Sequence, residues 1–493
     1  MPDAREILVT LTSVRPRRRA RTTTAPQRGA VLLVLVLGVL SALGPLATDL
    51  YLPALPQIAD DLATTEARVK FTLTTVMIGM ALGQLVIGPL SDRWGRRGPL
   101  LAGLAVFTVS TFGIAMATSV ETFTVFRFLQ GLSAAAGLVI SRAVVRDVFD
   151  GDAAATFFSR LVLLSGLAPM LGPVLGGQLL LLGPWPLLFI ALGLAGAASF
   201  ALVWTVLPES LPADQREKVS ARDQATLFAG LLKDVRFIGP TLVLALNFAM
   251  SFTYISTFSF VAQSQLGATA QQFSLVFAVT TLGMILGNQV NAALVPRMEV
   301  HRRLLLGLSG SLVSVLALVA LAATGAATLV SVTTALFVMM VFTGLVAPNA
   351  TALALSGQAP RVAGSGSALL GTLQFGLGST LAATAGMTGP VTLASMNTVM
   401  LLTAIGAFAV FALSARRTMR PAAQEPAPAE ETVPDAEDVA AAEDVAAAES
   451  VVLTDSVPHI EDTVSGPDTD GVGGGVEDGA ASVAGPETVG TRG

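Results

Sequence analysis

Gly88-Pro89-Leu90-Ser91-Asp92-Arg93-Trp94-Gly95-Arg96-Arg97 stands between two long apolar runs, Phe71 to Leu90 and Pro99 to Ala117. Each run is about long enough to cross a ~30 Å hydrocarbon core at about 1.5 Å per helical residue. A tight connection carrying Arg93, Arg96 and Arg97 cannot lie within lipid. Short loops rich in Lys and Arg stay on the cytoplasmic face, so the stretch is placed there and sets the topology of the chain.

The composition agrees. Of 493 residues, 53% are hydrophobic and 13% charged, whereas about a quarter of a soluble protein is charged, so many membrane spans are expected. There is no cysteine and there are two histidines, His301 and His459, which removes disulfides, thiolate metal sites and histidine-based catalysis. The net charge of −5 is unevenly divided. Pro421 to Gly493 holds 17 acidic residues and one basic, while the rest of the chain holds 28 basic and 17 acidic. This tail is rich in Ala, Glu, Asp, Pro and Gly and includes the paired hexads Glu437 to Ala442 and Glu443 to Ala448. It has too few large apolar residues for a core and reads as disordered. Met1 to Arg28 is basic, and the apolar run after it, Ala30 to Leu52, is too long for a signal peptide. It reads as a cytoplasmic arm beside anionic headgroups.

Hydropathy gives twelve spans, near 30–55, 71–90, 99–117, 122–144, 158–181, 186–207, 237–261, 271–295, 304–323, 328–352, 366–387 and 391–413. With the N-terminus inside, an even number puts the C-terminus inside too. Most of the 29 Lys and Arg then fall in cytoplasmic segments, with Arg127 inside a span and Arg68 and Lys70 facing outward. Sliding the sequence by 204 residues superposes Gly83 on Gly287, Val86 on Val290, Leu90 on Leu294, Arg93 on Arg297 and Gly103 on Gly307. The expected fold is an all-α membrane protein of twelve transmembrane helices in two six-helix halves with disordered termini. The expected divisions are 1–29 (basic arm), 30–207 (first half), 208–236 (cytoplasmic linker), 237–415 (second half) and 416–493 (acidic tail).

Four motifs in order carry a family resemblance. Gly88 to Leu101 resembles the loop 2–3 motif of the major facilitator superfamily, and Arg127-x-x-Gln130-Gly131 its motif B. Gly172-Pro173-x-x-Gly176-Gly177 resembles motif C, which marks its proton-driven antiporters. Thr48-Asp49-Leu50-Tyr51-Leu52-Pro53-Ala54-Leu55-Pro56 resembles the Bcr/CflA branch of drug exporters. The resemblance implies the major-facilitator architecture and proton-coupled export of drug-like or small polar or cationic compounds. It also implies a multi-pass place in the plasma (inner) membrane. Small molecules, protons and the lipid bilayer are the expected partners of a monomer, with no cofactor and no nucleic acid. Some drug-antiporter relatives carry a second acid earlier in span one, where this chain has Ser41 and Ala42; coupling to several protons and export of divalent cations are therefore not implied.

The residues have their own logic. Asp49 is the lone carboxylate of the first span, and a carboxylate in hydrocarbon costs at least about 2.5–3.5 kcal/mol, so it should face a cavity. Low dielectric favours the neutral acid and a nearby cation favours the carboxylate, as an exchange site requires. Alternatively Asp49 lies near the outer end of its helix and touches water. Arg127, with Gln130 one turn on, either biases a cavity carboxylate, Asp49 first, or is a structural arginine bonded to backbone carbonyls freed near Pro169 or Pro173. Gly172, Pro173, Gly176 and Gly177 allow close helix contact, and in the resembled family that helix packs between the halves and limits leak. Gly88, Asp92, Arg93, Gly95, Arg96, Arg97 and Asp147 form a candidate cytoplasmic gate. In it Asp92 docks on the helix beginning near Ala363-Gly364-Ser365, and the arginines pair with Asp147 or Asp150. Alternatively the arginines set topology and nothing more. Asn247, Tyr254, Asn288, Asn291, Asn349 and Gln374 are candidates for substrate hydrogen bonds or for helix–helix bonding, and aromatic content is too low to announce a large cage for bulky cations.

An importer or facilitator of a small metabolite is the alternative within the same architecture. An enzyme lacks convergent catalytic groups, a receptor lacks large outward loops, and an ATP-driven pump lacks a phosphate-binding loop.

Overall fold

A computed structural model describes residues 27–149, 151–216, 221–356, 358, 363–387 and 389–418. Most of the basic arm, Asp150 and the acidic tail from residue 419 lie outside them. The described residues are helical or in turns, with no strand among them. Ten helices among them are long and apolar enough to cross a membrane. Two more, Gly151–Leu179 and Ala363–Ala383, are of comparable length.

Side-chain caps begin many helices. Thr65 accepts from the Arg68 amide, Ser119 from Thr122 and Asp234 from Arg236, while Thr269 and Thr328 form reciprocal boxes with Gln272 and Ser331. Each cap satisfies amides that the first turn leaves unbonded. Two helices, Glu66–Trp94 and Val120–Val148, overrun their hydropathic segments at both ends. Glu66–Trp94 begins a turn earlier than expected, so Lys70 falls inside it and is buried. Arg142 likewise lies within Val120–Val148. The expected linker contains a helix of its own, Ala221–Lys233.

One pairing scheme appears twice. Glu66–Trp94 packs on Val120–Val148 as Ala270–Leu294 packs on Leu329–Leu355. Gln27–Asp49 lies against Gly151–Leu179 as Val235–Phe260 lies against Ala363–Ala383. Arg97–Ala115 meets Pro186–Val206 as Val300–Ala323 meets Leu393–Thr418. The two most extensive contacts between the first six long helices and the last six are Glu66–Trp94 with Ala363–Ala383, and Gly151–Leu179 with Ala270–Leu294.

Glycine sets the closest approaches. A Cβ on Gly131 would run into the Val76 backbone, and one on Gly287 into the Val341 backbone. In lipid no hydrophobic drive pulls helices together, so such contacts carry the packing. At the end remote from Gly88 the two groups are fastened by hydrogen bonds. Ser259 Oγ donates to Leu52 O (2.5 Å), Gln263 Nε2 to Pro53 O (3.1 Å), and the Lys70 ammonium to Ala385 O. At the Gly88 end, by contrast, a cavity of about 600 Å³ is lined by both groups and by the Ala221–Lys233 helix.

Gly131→Val should lower the stability of the solubilised protein by at least about 1–3 kcal/mol, read as a drop in its unfolding temperature. Gly88→Ala, which meets nothing within 4 Å, should leave that temperature unchanged.

Candidate functional site

Asp49 is the last residue of its helix. The chain then makes a tight turn over Leu52–Ala54 and resumes as the short helix Leu55–Asp61. Pro53 and Pro56 each stand near the start of one of these elements, where a missing N–H leaves no bond unmade. Asp49 is only 6% exposed, enclosed by protein rather than set on a wet helix end. A Cβ on Gly172 would stand 3.0 Å from the Asp49 Cβ, and one on Gly176 would collide with Leu50 O. Gly177 turns the other way, toward Ser274, and its carbonyl accepts from Gln271 Nε2 at 3.2 Å. The glycine cluster, with buried Pro173, thus seats one helix against both the Asp49 turn and the second six-helix group. Tyr254, within electrostatic reach of Asp49, shares a 2.6 Å hydrogen bond with Thr280.

Arg127 is fully buried and has no carboxylate partner among the described residues. Its Nη1 donates to Ala47 O at 2.6 Å and to Gln130 Oε1 at 2.9 Å, and Gln130 Nε2 donates to Thr111 Oγ1 at 2.8 Å. The guanidinium lies 3.6 Å from the Tyr51 ring centroid, 4.7 Å from Phe189 and 5.4 Å from Phe123. Desolvated cation–π contact is worth about 2 kcal/mol or more; the buried Nε and Nη2 have no hydrogen-bond acceptor. The carbonyl comes from the last turn of the first helix, whose C-terminus attracts a cation, and not from the helix holding Pro169 and Pro173. An aromatic box does exist, contrary to the impression left by composition, but the protein's own cation fills it. Tyr51 OH pairs with Thr72 Oγ1 at 3.0 Å, so the turn after Asp49 is held from both sides.

At the loop, Arg96 rather than Asp92 is the hub. Arg96 Nε donates to Asp147 Oδ2 at 2.8 Å, and its Nη1 to Ser91 Oγ at 2.9 Å and to the Asp92 carboxylate. Burial alone would pull this guanidinium down; Asp147 and Asp92 outweigh it and hold the group above the ordinary arginine value. Asp92 is therefore paired with Arg96 just past the end of its own helix, and among the described residues it makes no bond to the helix starting at Ala363. Arg97 Nη2 donates to Trp204 O at 2.6 Å and its guanidinium lies over the Trp204 ring. Arg93 is exposed and makes no ion pair among the described residues. Gly95 adopts φ +92°, with the Glu209 carboxylate where a Cβ would go. Glu209 accepts from the amides of Arg96 (2.7 Å), Arg97 (3.2 Å) and Leu211 (3.1 Å). Sequence reasoning missed Glu209; its signal was an acid directly after the sixth span, at the start of the linker.

Among the amides, Asn291 and Asn349 bond each other at 2.6 Å with Arg303 Nη1 3.3 Å away, which makes them helix–helix links. Asn247 is buried with an unbonded Oδ1, Asn288 is exposed and Gln374 half-buried. Arg127→Lys keeps the charge but loses the planar stack, and should cost about 2 kcal/mol in thermal unfolding; Arg127→Ala should cost more.

The family model described as "Major Facilitator Superfamily" matches residues 37–383. The chain is 37% identical to an uncharacterized MFS-type transporter, YdgK, of Bacillus subtilis, over 78% of this chain and 96% of that one. It is 31% identical to a bicyclomycin resistance protein homolog of Haemophilus influenzae, over 72% and 88%. Among solved structures, a bacterial homolog of the human lysosomal transporter Spinster superposes with a TM-score of 0.62 at 15% identity, covering 80% of this chain and 98% of that one. A D-xylose–proton symporter superposes with 0.61 at 14%, covering 77% and 97%. These two likenesses concern the fold. Twinned helix pairing, motif order and relatives at this identity agree: the chain belongs to the major facilitator superfamily, whose members are transporters and not enzymes.

Proposed function

We propose that this transporter exports drug-like, small polar or cationic compounds in exchange for protons, by alternating access across twelve spans, with both termini cytoplasmic. The observation that carries the proposal is Asp49. It is an enclosed carboxylate with no ion-pair partner among the described residues, at a helix break touching the motif C glycines and within reach of the second six-helix group. A buried acid without a cation beside it is favoured in its neutral form and gives up its proton when a positive or strongly polar group arrives. Arg127 acts as a positioning residue, pinning the Ala47 carbonyl and stacking on Tyr51 so that Asp49 keeps its place.

The asymmetry of the two ends fits a cytoplasm-open form. Hydrogen bonds close the end remote from Gly88, while the cavity lies at the Gly88 end. In this form the Arg96–Asp147–Asp92 cluster stiffens one six-helix group. Closing the cavity would bring Asp92 toward the Ala363–Ala383 helix and engage the gate. Names among the relatives, a bicyclomycin resistance protein homolog and a chloramphenicol resistance protein of Pseudomonas aeruginosa, supply the compounds to try first.

In cells stripped of their own exporters, the wild-type chain should raise tolerance to bicyclomycin or chloramphenicol, and Asp49→Asn should return it to the empty-vector level at equal protein abundance. In proteoliposomes, adding the transported compound should drive proton movement through the wild type and none through Asp49→Asn. Equal protection by both chains would remove Asp49 from the mechanism, and transport indifferent to a collapsed pH gradient would mark a facilitator instead.

A further inference from the structure

Trp94 ends one long helix and Arg97 begins the next, yet these two neighbours pack little on each other. Each lies mainly against Val120–Val148, so they diverge and leave a groove of about 380 Å³ between them. Ile87, Leu90 and Trp94 form one wall, and Gly98, Ala102 and Val106 the other. A Cβ on Gly103 would stand 2.6 Å from the Ala136 Cβ, which closes the back, whereas one on Gly98 would meet nothing within 4 Å. Trp94 and Val106 are 60% and 44% exposed, so the front is open to the bilayer.

From Gly98 to Val106 is about 12 Å along a helix, close to the ~15 Å depth of one leaflet. Ser133 also lines the groove, but its hydroxyl already bonds Leu129 O (2.8 Å) and Gln130 O (3.0 Å). An apolar slot left empty forfeits van der Waals contact along its length, and within hydrocarbon the filler at hand is an acyl chain. The rim of the groove is basic. Arg93 stands on the exposed face that carries Leu82 and Val86, one turn beyond Leu90. It makes no ion pair among the described residues. The acids around it are engaged elsewhere, Asp92 with Arg96, and Glu209 with the amides of Arg96 and Arg97. A second copy docking here about a two-fold axis would set this basic rim against itself.

We propose that this groove holds one acyl chain of an anionic phospholipid from the leaflet on the Gly88 side, with the headgroup phosphate on Arg93 and the chain along Leu90, Ala102 and Val106. A guanidinium keeps its charge and presents paired N–H donors to phosphate oxygens. Trp94 beside it stands where indoles meet headgroups. The same helix lines the cavity at the Gly88 end with its other face, through Gln84, Gly88 and Asp92. Lipid and cavity thus share a wall without sharing a site.

The test is titration of the full chain in detergent with phosphatidylglycerol or phosphatidylcholine, the bound copies being counted by native mass spectrometry. The wild type should bind its first phosphatidylglycerol about fivefold more tightly than phosphatidylcholine, the scale of one arginine beside an anionic headgroup. Arg93→Gln should erase that preference, whereas Arg302→Gln, at an exposed arginine of the second group, should keep it. Gly98→Leu puts a side chain into the open groove and should weaken both lipids at an unchanged unfolding temperature. Equal affinity for the two lipids in the wild type, or a preference that survives Arg93→Gln, would overturn the proposal. Full retention of both lipids by Gly98→Leu would do the same. So would competition by glycerol 3-phosphate, which has the phosphate without a tail. A dimer that Gly98→Leu dissociates would give the groove to a second copy and overturn it as well.

Discussion

Two helices in a membrane come into backbone contact only where neither has a side chain in the way. Water exclusion gives them little reason to associate once they are in lipid, so close van der Waals contact and a few polar bonds must do it. In this chain the contacts fall at Gly131 on Val76, Gly287 on Val341 and Gly176 on Leu50. Each is a place where bulk would hold the helices apart. Gly172 against Asp49 and Gly176 against Leu50 give the broken end of the first helix its close wall.

Against that close-packed background the charges are held by different means. Arg127 is stabilised by a carbonyl, an amide and aromatic faces, which leaves no anion tied up beside it and keeps Asp49 unpaired. Arg96 is stabilised by two carboxylates and a hydroxyl, as suits a group close to water. Lys70 is held by the carbonyl of Ala385, just beyond the end of the Ala363–Ala383 helix, where the dipole is negative. Arg303 is satisfied by Asn291 and by the carbonyl of Met298. The second six-helix group therefore holds its buried arginine with an amide and a carbonyl where the Arg96 cluster uses carboxylates.

Much of the fold was legible because hydropathy and the positive-inside pattern act over long windows. Spans that read as 186–207 and 271–295 appear as Pro186–Val206 and Ala270–Leu294. Ends were less legible where a polar residue continues a helix into the interface, as Glu66 to Lys70 does, because capping by Thr65 outweighs hydropathy there. The break after Asp49 was readable from Pro53 and Pro56. The partners of Arg127 were not, since Tyr51, Phe123 and Phe189 come from three distant segments and only packing brings their rings together. Nor could the sequence show that Glu209 closes on the Arg96 and Arg97 amides, a contact that depends on how the sixth long helix ends.

Glu209 also bears on how the two groups are tethered. By gripping the loop at Arg96 and Arg97, it fixes the connecting segment to the first group almost as soon as it leaves the membrane. Gln224 fixes the other side to Ser365, in the second group. The leash between these two anchors, Leu211 to Gln224, is shorter than the whole connection. Any rocking of one group past the other must be taken up within that leash or by letting go of an anchor. Were the two groups to swing in a transport cycle, its length would set a mechanical stop.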